Sequence, residues 1–186
     1  LVDACVTSVL QSQGVTVELV VVTSDPTYDD ARVSRLFLQD GPAGKRNVGV
    51  ARTRAPYVAF LDDDLTISPY ALYEMWQWLV CHPTHGMVYG KIRKMDRRLI
   101  FDAAGSWMTP TGFLWDRAAN DQRDHGQYDI PEPCLSSKSA TCMVRRTAFL
   151  AAGQFDADYW ILAEESDLSY RMWLTRWEVW YVPMAL

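Results

Sequence analysis

Apolar residues along the chain follow two spacings, one typical of helices and one typical of buried strands. The first ten residues place apolar side chains at intervals of four on one face, which predicts a helix that ends near Gly14. Residues 17–22 form a near-continuous apolar run instead, as expected for a strand buried on both faces of a parallel sheet. Shorter strands are predicted at residues 36–38 and at Tyr57–Leu61, so helix and strand alternate early in the chain.

Turn and capping residues separate these segments. Residues 41–44 predict a turn, which is followed by a helix over residues 45–54. Ser68 and Pro69 predict a helix start, because a serine hydroxyl suits the N-cap and proline suits the first helical position, and this helix should end near Cys81. The later elements predicted by the same criteria are strands at 87–92, 99–103, 141–144 and 179–182 and helices at 147–152 and 164–175.

Residues 108–133 have no clear period and are rich in Gly, Pro, Asp and Arg. A loop of that length inside a domain is usually functional or disordered. Because strands and helices alternate early and antiparallel signals enter later, the predicted class is α/β with a mixed sheet. The length of the chain predicts one domain over residues 1–186.

The composition is that of a folded, acidic chain. With 49% hydrophobic residues and a net charge of −5, from 18 Lys and Arg against 23 Asp and Glu, it argues against disorder and against general nucleic-acid binding. The four cysteines form no C-x-x-C pair, which argues against a zinc module or a disulfide framework. No apolar run approaches the length of a membrane span, and no signal peptide opens the chain. Because the chain opens at Leu1 rather than at a methionine, we expect a fragment.

Three consecutive carboxylates end one of the predicted strands. Tyr57–Leu61 is followed directly by Asp62, Asp63 and Asp64, and ligands of open α/β sheets bind beyond the carboxyl ends of the strands. Like charges this close repel one another, and a magnesium or manganese ion relieves that repulsion through hard oxygen ligands. The alternative is a solvated acidic turn before the next helix, and composition alone favours neither interpretation.

A second acidic cluster opens the helix predicted at residues 164–175. Glu164, Glu165 and Asp167 lie in its first turn, where carboxylates commonly complement the helix dipole. Asp167 and Arg171 are also ordinary i, i+4 partners, so a structural interpretation is the simpler one. The functional interpretation makes one carboxylate a proton acceptor and has Arg171 hold another in place.

The basic turn at residues 41–46 does not qualify as a phosphate loop. A phosphate loop has four residues between its glycines and a Ser or Thr directly after its lysine. This turn has neither feature, since its glycines are closer together and Arg46 follows Lys45. Backbone amides at the following helix start, together with Lys45 and Arg46, can still attract an anion. A basic, solvated turn is an equally good interpretation of these residues.

Tryptophan is frequent in this chain, with eight residues. Trp76 and Trp173 fall in predicted helices and are expected to pack in the core or at its rim. Trp115 and Trp160 fall in or beside irregular segments, where rigid amphipathic rings can stack against a sugar or another flat ligand.

Taken together in chain order, these segments resemble family 2 glycosyltransferases of the GT-A fold, notably the rhamnosyltransferase-like branch. The resemblance covers nearly the whole chain and implies a Rossmann-like, mixed and mostly parallel sheet flanked by helices. Each motif is weak alone, and their shared order makes the resemblance specific. The matching segments are Glu18-Leu19-Val20-Val21-Val22, Arg46-Asn47-Val48-Gly49, Phe60-Leu61-Asp62-Asp63-Asp64, Asp116-Arg117 with Gly126-Gln127-Tyr128-Asp129, Ser139-Ala140-Thr141-Cys142-Met143-Val144-Arg145-Arg146, Gly153-Gln154-Phe155-Asp156 and Glu164-Glu165-Ser166-Asp167-Leu168.

The resemblance implies that a sugar moves from a nucleoside-diphosphate donor to an acceptor hydroxyl, with inversion at the anomeric carbon. It implies a divalent metal, manganese or magnesium, held by Asp64 and Asp62. Glu165 is the implied general base, and Glu164 is the alternative. The implied donor contacts are Thr23, Asp25, Arg46, Asn47, Asp62 and Asp63. The residues implied to support the base are Asp167 and Arg171. The residues implied to lie on the acceptor side are Trp115 and Trp160.

Three departures from the family pattern affect these expectations. Thr23 stands where an aspartate usually holds the nucleobase, with Asp25 nearby. The usual Glu-Asp pair appears as Glu164-Glu165, so the implied base carries one extra methylene. The first strand of the family should precede the first residue, and a histidine should follow Leu186, so both ends are expected to be cut.

Two other functions stay open. A nucleotidyltransferase also uses an α/β sheet, acidic strand ends and a divalent metal, although no basic Gly-rich triphosphate loop is visible here. A catalytically degenerate binding domain would keep the scaffold without turnover; Thr23 favours that view, and the retained Asp62 and Asp64 argue against it. The resemblance also implies a glycan or lipid-linked acceptor, no nucleic acid, a cytoplasmic location and, through segments outside this chain, peripheral association with the inner face of the membrane.

Overall fold

Helices and strands alternate through the first half of the chain, as the hydrophobic pattern predicts. The computed structural model describes residues 1–159 and 163–184. Its helices are α1 (Val2–Leu10), α2 (Pro42–Arg52), α3 (Ala71–Cys81), α4 (Arg146–Ala151) and α5 (Glu164–Leu174). Its strands are β1 (Val20–Thr23), β2 (Ser34–Phe37), β3 (Tyr57–Leu61), β4 (His85–Gly90), β5 (Ile92–Arg93), β6 (Phe101–Ala103), β7 (Ser106–Met108), β8 (Leu114–Asp116), β9 (Glu132–Pro133), β10 (Thr141–Arg145) and β11 (Glu178–Val182). Among these described residues, no helix combines the length and the hydropathy needed to cross a membrane.

A five-stranded mixed sheet forms the centre of the fold, in the order β3-β10-β4-β11-β9. β10 runs antiparallel between β3 and β4, which therefore share one direction, and β11 runs parallel to β4. The predicted mixed α/β class is confirmed. Within this sheet, as far as the described residues show it, β4–β11 is the one parallel pairing, which is fewer parallel pairs than expected. The reason is that the chain leaves β4 at its carboxyl end and re-enters the sheet beside that same end as β10, which gives an antiparallel neighbour; a parallel neighbour would require the chain to cross back to the start of β4.

β1 and β2 form a separate parallel pair beside β3. In the described part of the chain β1 and β3 do not pair, and a groove of about 510 Å³ between them is lined by residues that include Val20, Val22, Tyr57 and Ala59. Leu19 nevertheless belongs to the same hydrophobic cluster as Ala59. The two sheets are therefore joined by side-chain packing rather than by backbone hydrogen bonds.

Alternating residues of the central strands face two apolar cores. On one face Tyr89 packs in a cluster with Met172 of α5. On the other face Val88 and Met143 pack in a cluster with Met75 of α3. Because successive strand residues point to opposite faces, the sheet is buried on both sides, and its open positions lie at the ends of its strands.

Two predicted helix starts are wrong. α2 begins at Pro42 with Gly41 as its N-cap, inside the predicted turn, because proline needs no backbone donor at the first helical position. α3 begins at Ala71 rather than at Pro69. Ser68 does not cap it; the Ser68 carbonyl accepts a hydrogen bond from the Ala71 N–H at 3.1 Å in a turn that precedes the helix.

Residues 108–133, predicted as an irregular loop, contain short strands and buried charges. Asp124 lies at the centre of one charge cluster, with Lys91 Nζ 3.1 Å and Arg93 Nε 2.9 Å from its Oδ2. Burial alone would raise the pKa of Asp124, but hydrogen bonds from the Gly126 amide and from these two side chains lower it to about 2. Order in this segment thus comes from contacts between residues distant in the chain, which a local pattern does not show.

Stacked aromatic rings lie at the opposite end of the strands from the acidic residues. His85, at the start of β4, lies between the rings of His82 and Trp180, with centroid distances of 4.6 and 4.7 Å. Trp78 Nε1 donates a hydrogen bond to His85 Nδ1 at 2.9 Å, so this nitrogen carries no proton. Burial lowers the pKa of His85 to about 4, although the Glu178 carboxylate lies 3.5 Å from its Nε2.

His85 is expected to make the folded state less stable in acid. Because its folded-state pKa lies below its ordinary 6.5, the unfolded state binds more protons, and the free energy of unfolding falls as the pH drops from about 6.5 to about 4. The free energy of unfolding falls by at most about 3 kcal/mol over this pH range. Above about pH 6.5, His85 is neutral in both the folded and the unfolded state and lowers the stability no further. Denaturant unfolding across these pH values measures it. The His85→Gln variant should show a flatter pH dependence than wild type, whereas exposed His125→Gln should behave like wild type; an unchanged slope in His85→Gln would contradict the assignment.

Candidate active site

A cleft of about 840 Å³ lies at the carboxyl end of β3. Its walls come from α1, β1, the start of α2, residues 138–140 before β10, and the first turn of α5. The predicted site residues that line it are Thr23, Asp25, Arg46, Asp62, Asp63, Asp64, Glu164 and Glu165. The tertiary structure therefore brings both acidic clusters of the sequence to one place.

Asp62, Asp63 and Asp64 leave the end of β3 at this cleft. The Asp62 N–H donates to the Ala140 carbonyl at 3.0 Å, which extends the contact between β3 and β10 beyond the strand. Cys5 Sγ on α1 donates to the Asp62 carbonyl at 3.4 Å. Asp62 is half-buried, while Asp63 and Asp64 are exposed and form no ion pair with the residues that the structure describes. Two carboxylates are thus open to a ligand.

Arg46 lies between the two acidic clusters. From α2, its Nη2 donates to Asp62 Oδ1 and its Nη1 donates to Glu164 Oε1, both at 2.8 Å. Its side chain is only 11% exposed, so solvent weakens these charge-assisted bonds little. The residue predicted to contact the donor therefore uses two of its nitrogens on protein carboxylates.

The two glutamates at the start of α5 differ in their surroundings. Glu164 is buried; its Oε1 is held by Arg46, and its Oε2 has no hydrogen-bond partner among the described residues. Burial raises the pKa of Glu165, and the neighbouring Glu164 raises it further. A raised pKa makes a carboxylate a better proton acceptor near neutral pH, which is the property that a general base needs.

Thr23 and Asp25 lie at the end of β1, where they form a small hydrogen-bonded turn. Thr23 Oγ1 accepts from the Asp25 N–H at 3.0 Å, and Asp25 Oδ1 accepts from the Thr27 N–H at 2.8 Å and from the Thr27 hydroxyl at 2.7 Å. These bonds from Thr27 hold the pKa of the exposed Asp25 below its ordinary value. Asp25 is therefore an ionised acceptor with a defined orientation at the cleft.

Three predicted site residues contact protein groups instead of lining the cleft. Asn47 Nδ2 donates to the Phe155 carbonyl at 2.8 Å, and Asn47 Oδ1 accepts from the Phe155 N–H at 3.1 Å. Arg171 Nη2 donates to Asp167 Oδ2 at 2.6 Å, and Arg171 Nη1 donates to the Ala152 carbonyl. These bonds hold the turn after α4 against α2 and α5, so these side chains act on the site through that turn.

Of the two predicted acceptor-side tryptophans, Trp115 does not line the cleft. Trp115 is 54% exposed on the two-stranded ribbon of β7 and β8, where its cross-strand neighbour is Trp107. Phe113 and Leu114 of the same ribbon are exposed as well. Trp160 lies outside the described residues.

The cleft also contains residues that the sequence pattern did not indicate. Lys138 and Ser139 line it from the segment before β10, and Lys138 Nζ donates to Asp102 Oδ2 at 2.8 Å. The only local signal was one basic residue among small polar ones, which is too common to be specific. Lys45, considered above as an anion contact, lines the cleft too.

The open carboxylates fit a divalent cation that takes further ligands from outside the protein. Within residues 1–159 and 163–184, no three or more His, Cys, Asp or Glu side chains form a metal-binding group. Asp62 has one oxygen engaged by Arg46, and Asp64 has none engaged in an ion pair. Hard carboxylate oxygens suit magnesium, which usually takes one or two carboxylates and completes its shell with phosphate and water. The donor set therefore fits a cation shared with a phosphate-bearing ligand.

A protein-family comparison identifies the chain. The family described as "Glycosyl transferase family 2" matches residues 1–140, which include Arg46 and the acidic end of β3. The chain belongs to glycosyl transferase family 2. The α5 glutamates lie outside the matched residues, so their interpretation depends on the geometry described above.

This family 2 chain covers less than two thirds of the length of each of the similar proteins described here. The succinoglycan biosynthesis protein ExoO of Rhizobium meliloti (strain 1021) is 39% identical over 79 residues, which cover 37% of this chain and 23% of ExoO. GalNAc-T7, solved with UDP, GalNAc and Mn²⁺, has a TM-score of 0.73 at 12% identity over 96% of this chain and 38% of its own.

Residues 1–349 of S. aureus TarS are similar in structure as well. They have a TM-score of 0.62 at 17% identity, and their complex with UDP has 0.60 at 16%; both cover 98% of this chain and 56% of that one. These likenesses confirm the predicted GT-A fold for this family 2 chain.

Proposed function

We propose that this chain is the catalytic domain of a glycosyltransferase that moves a sugar from a nucleoside-diphosphate donor to an acceptor hydroxyl, with inversion and with a divalent metal. The observation that carries the proposal is the single cleft in which the acidic end of β3 meets the first turn of α5, bridged by Arg46. One side of that cleft suits a metal–diphosphate group, and the other supplies a carboxylate suited to take a proton.

The reaction divides between these two sides. Departure of the diphosphate builds negative charge beside Asp62 and Asp64, while Glu165 takes the proton of the acceptor hydroxyl as its oxygen attacks the anomeric carbon. The carbon–oxygen bond to the acceptor forms as the bond to the diphosphate breaks, and the proton goes to Glu165. Attack from the face opposite the leaving group inverts the configuration.

Asp64 and Asp62 would hold the divalent metal, whose chemistry is to neutralise the charge that develops on the departing diphosphate. The open carboxylates support this assignment, as does the presence of Mn²⁺ and UDP in the structurally similar GalNAc-T7. Lys45, near the start of α2, adds a positive charge on the same cleft. We propose Thr23 and Asp25 as the nucleobase side of the donor and assign Asn47 to holding Phe155.

The acceptor is proposed to be a glycan or a lipid-linked glycan. The name of ExoO, which refers to succinoglycan biosynthesis, supports a polysaccharide product. The exposed ribbon with Trp107 and Trp115 supports an acceptor contact, because aromatic rings stack on sugar faces. A cytoplasmic location at the inner face of a membrane belongs to the same proposal, since it follows from the donor and acceptor classes.

Replacing Trp115 with alanine is expected to raise the KM for the acceptor about 3- to 10-fold and to leave the KM for the donor unchanged. A lost aromatic contact of about 1 kcal/mol accounts for that change. Steady-state kinetics with each substrate varied in turn measures it. Phe37→Ala, which removes an exposed ring on β2, is the control; an unchanged acceptor KM in Trp115→Ala would remove Trp115 from the acceptor side.

The proposed function is tested on the whole protein that contains this chain. UDP-, dTDP- and GDP-sugars are incubated with and without manganese, and release of free nucleoside diphosphate is followed. Metal-dependent release that increases with an added glycan acceptor supports the proposal. Binding without release would favour a degenerate binding domain, and release of pyrophosphate from a nucleoside triphosphate and a sugar phosphate would favour a nucleotidyltransferase.

A further inference from the structure

We infer that Arg46 is a positioning residue that joins the donor side of the cleft, at Asp62, to the acceptor side, at the start of α5. Because Arg46 engages Glu164, Glu165 is the carboxylate that acts on the acceptor. The inference rests on the proposed function. It replaces the expectation that Arg46 contacts the donor directly.

The first argument is the geometry of one planar group that contacts two chain segments. Nη1 and Nη2 of Arg46 each donate at 2.8 Å, one to Glu164 Oε1 at the start of α5 and one to Asp62 Oδ1 after β3. The two nitrogens share a rigid plane, so the positions of both acceptor oxygens are set together. The acidic end of β3 and the start of α5 cannot separate without breaking a charge-assisted hydrogen bond.

The second argument is that the guanidinium is itself held in place. Its Cζ lies 5.4 Å from the centre of the Phe155 ring, and that ring packs edge-on against Phe60 of β3 at 5.1 Å. Asn47, the next residue of α2, fixes the Phe155 backbone through two hydrogen bonds. Arg46 is thus preorganised by the protein before any ligand arrives.

The third argument is the unequal state of the two glutamates. The Glu164 side chain is 6% exposed, and releasing it from Arg46 would leave a buried charge without a partner, which is strongly unfavourable. Glu165 lines the cleft, and Arg46 does not engage it, because the two terminal nitrogens of Arg46 donate to Glu164 and Asp62. Glu164 is therefore the anchor, and Glu165 is free to approach an acceptor hydroxyl.

The test compares Arg46→Lys with Arg52→Lys, an exposed arginine on the same helix. Lysine keeps the charge but has one ammonium group and cannot reproduce the two-pronged contact. We expect kcat of Arg46→Lys to fall about 10- to 100-fold through lost alignment. The donor KM, and the affinity for UDP with Mn²⁺ measured by calorimetry, should stay within about threefold of wild type. Arg52→Lys should match wild type in all three quantities.

A rise in donor KM and weaker UDP binding at unchanged kcat would overturn the inference, because that pattern identifies a direct donor contact.

The bridge that Arg46 forms between Asp62 and Glu164 can also be tested without measuring activity. In a double-mutant cycle of thermal unfolding, Arg46→Ala and Glu164→Ala, each of which removes one partner of the contact, should together lower the midpoint by less than the sum of the single shifts. Additive shifts would overturn the bridge. If wild type neither releases nor binds nucleotide, the proposed function fails, while the cycle still decides whether the bridge exists.

Discussion

Glu165→Gln is expected to lower the rate of sugar transfer by about 10²- to 10⁴-fold, the range typical for loss of a general base. Glutamine keeps the size of the side chain and a hydrogen-bonding oxygen but cannot take a proton from the acceptor hydroxyl. Donor binding should persist, because Asp62 and Asp64 are unchanged. Transfer kinetics with saturating donor, together with calorimetry of UDP and Mn²⁺, separate the two effects.

The matched control is Glu164→Gln, which retains an oxygen able to accept from Arg46. It should cost less activity than Glu165→Gln, and a larger loss in Glu164→Gln would make Glu164 the base. Because burial raises the pKa of Glu165 above the ordinary 4.5, and the base acts in its ionised form, the rate should fall as the pH drops through that raised pKa. If the transfer rate of Glu165→Gln stays within a few-fold of the wild-type rate, Glu165 is not the base, and its ionisation does not cause the fall in rate at low pH.

Asp64→Asn is expected to abolish the metal-dependent stabilisation of the protein by nucleotide. In wild type, a nucleoside diphosphate with manganese at about 100 times its dissociation constant should add about 2.7 kcal/mol to the free energy of unfolding. For a domain of this size, that corresponds to about 5 to 10 °C in melting temperature. The variant should lose this shift because an amide oxygen is a weaker ligand for a hard cation than a carboxylate.

A thermal-shift panel of UDP, dTDP and GDP, each with and without manganese, makes the measurement and identifies the nucleobase. Asp96→Asn, an exposed aspartate in the turn between β5 and β6, is the control and should shift like wild type. Manganese alone should produce a smaller shift than manganese with nucleotide, since the described residues supply too few ligands by themselves. An undiminished shift in Asp64→Asn would remove Asp64 from the metal site.

Several elements were predictable because their signals are local. β3 spans Tyr57–Leu61 as predicted, since a strand buried on both faces needs an apolar side chain at nearly every position. α5 begins at Glu164, where first-turn carboxylates complement the helix dipole. The α2 start was missed because Gly41 and Pro42 suit a turn and a helix start equally well, and packing decides between them.

The sequence alone was enough to predict the α/β class, the strand that ends in Asp62, the acidic start of α5 and, through motifs in register, the family. Each of these depends on residues close together in the chain. The tertiary structure alone showed that Arg46 bridges partners 16 and 118 residues away and that Asn47 holds Phe155 108 residues on. It alone also showed that Glu164 is buried against Arg46 while Glu165 lines the cleft. Hydrogen bonds, burial and pKa depend on neighbours in space, and no local pattern states which distant residues the packed sheet will bring together.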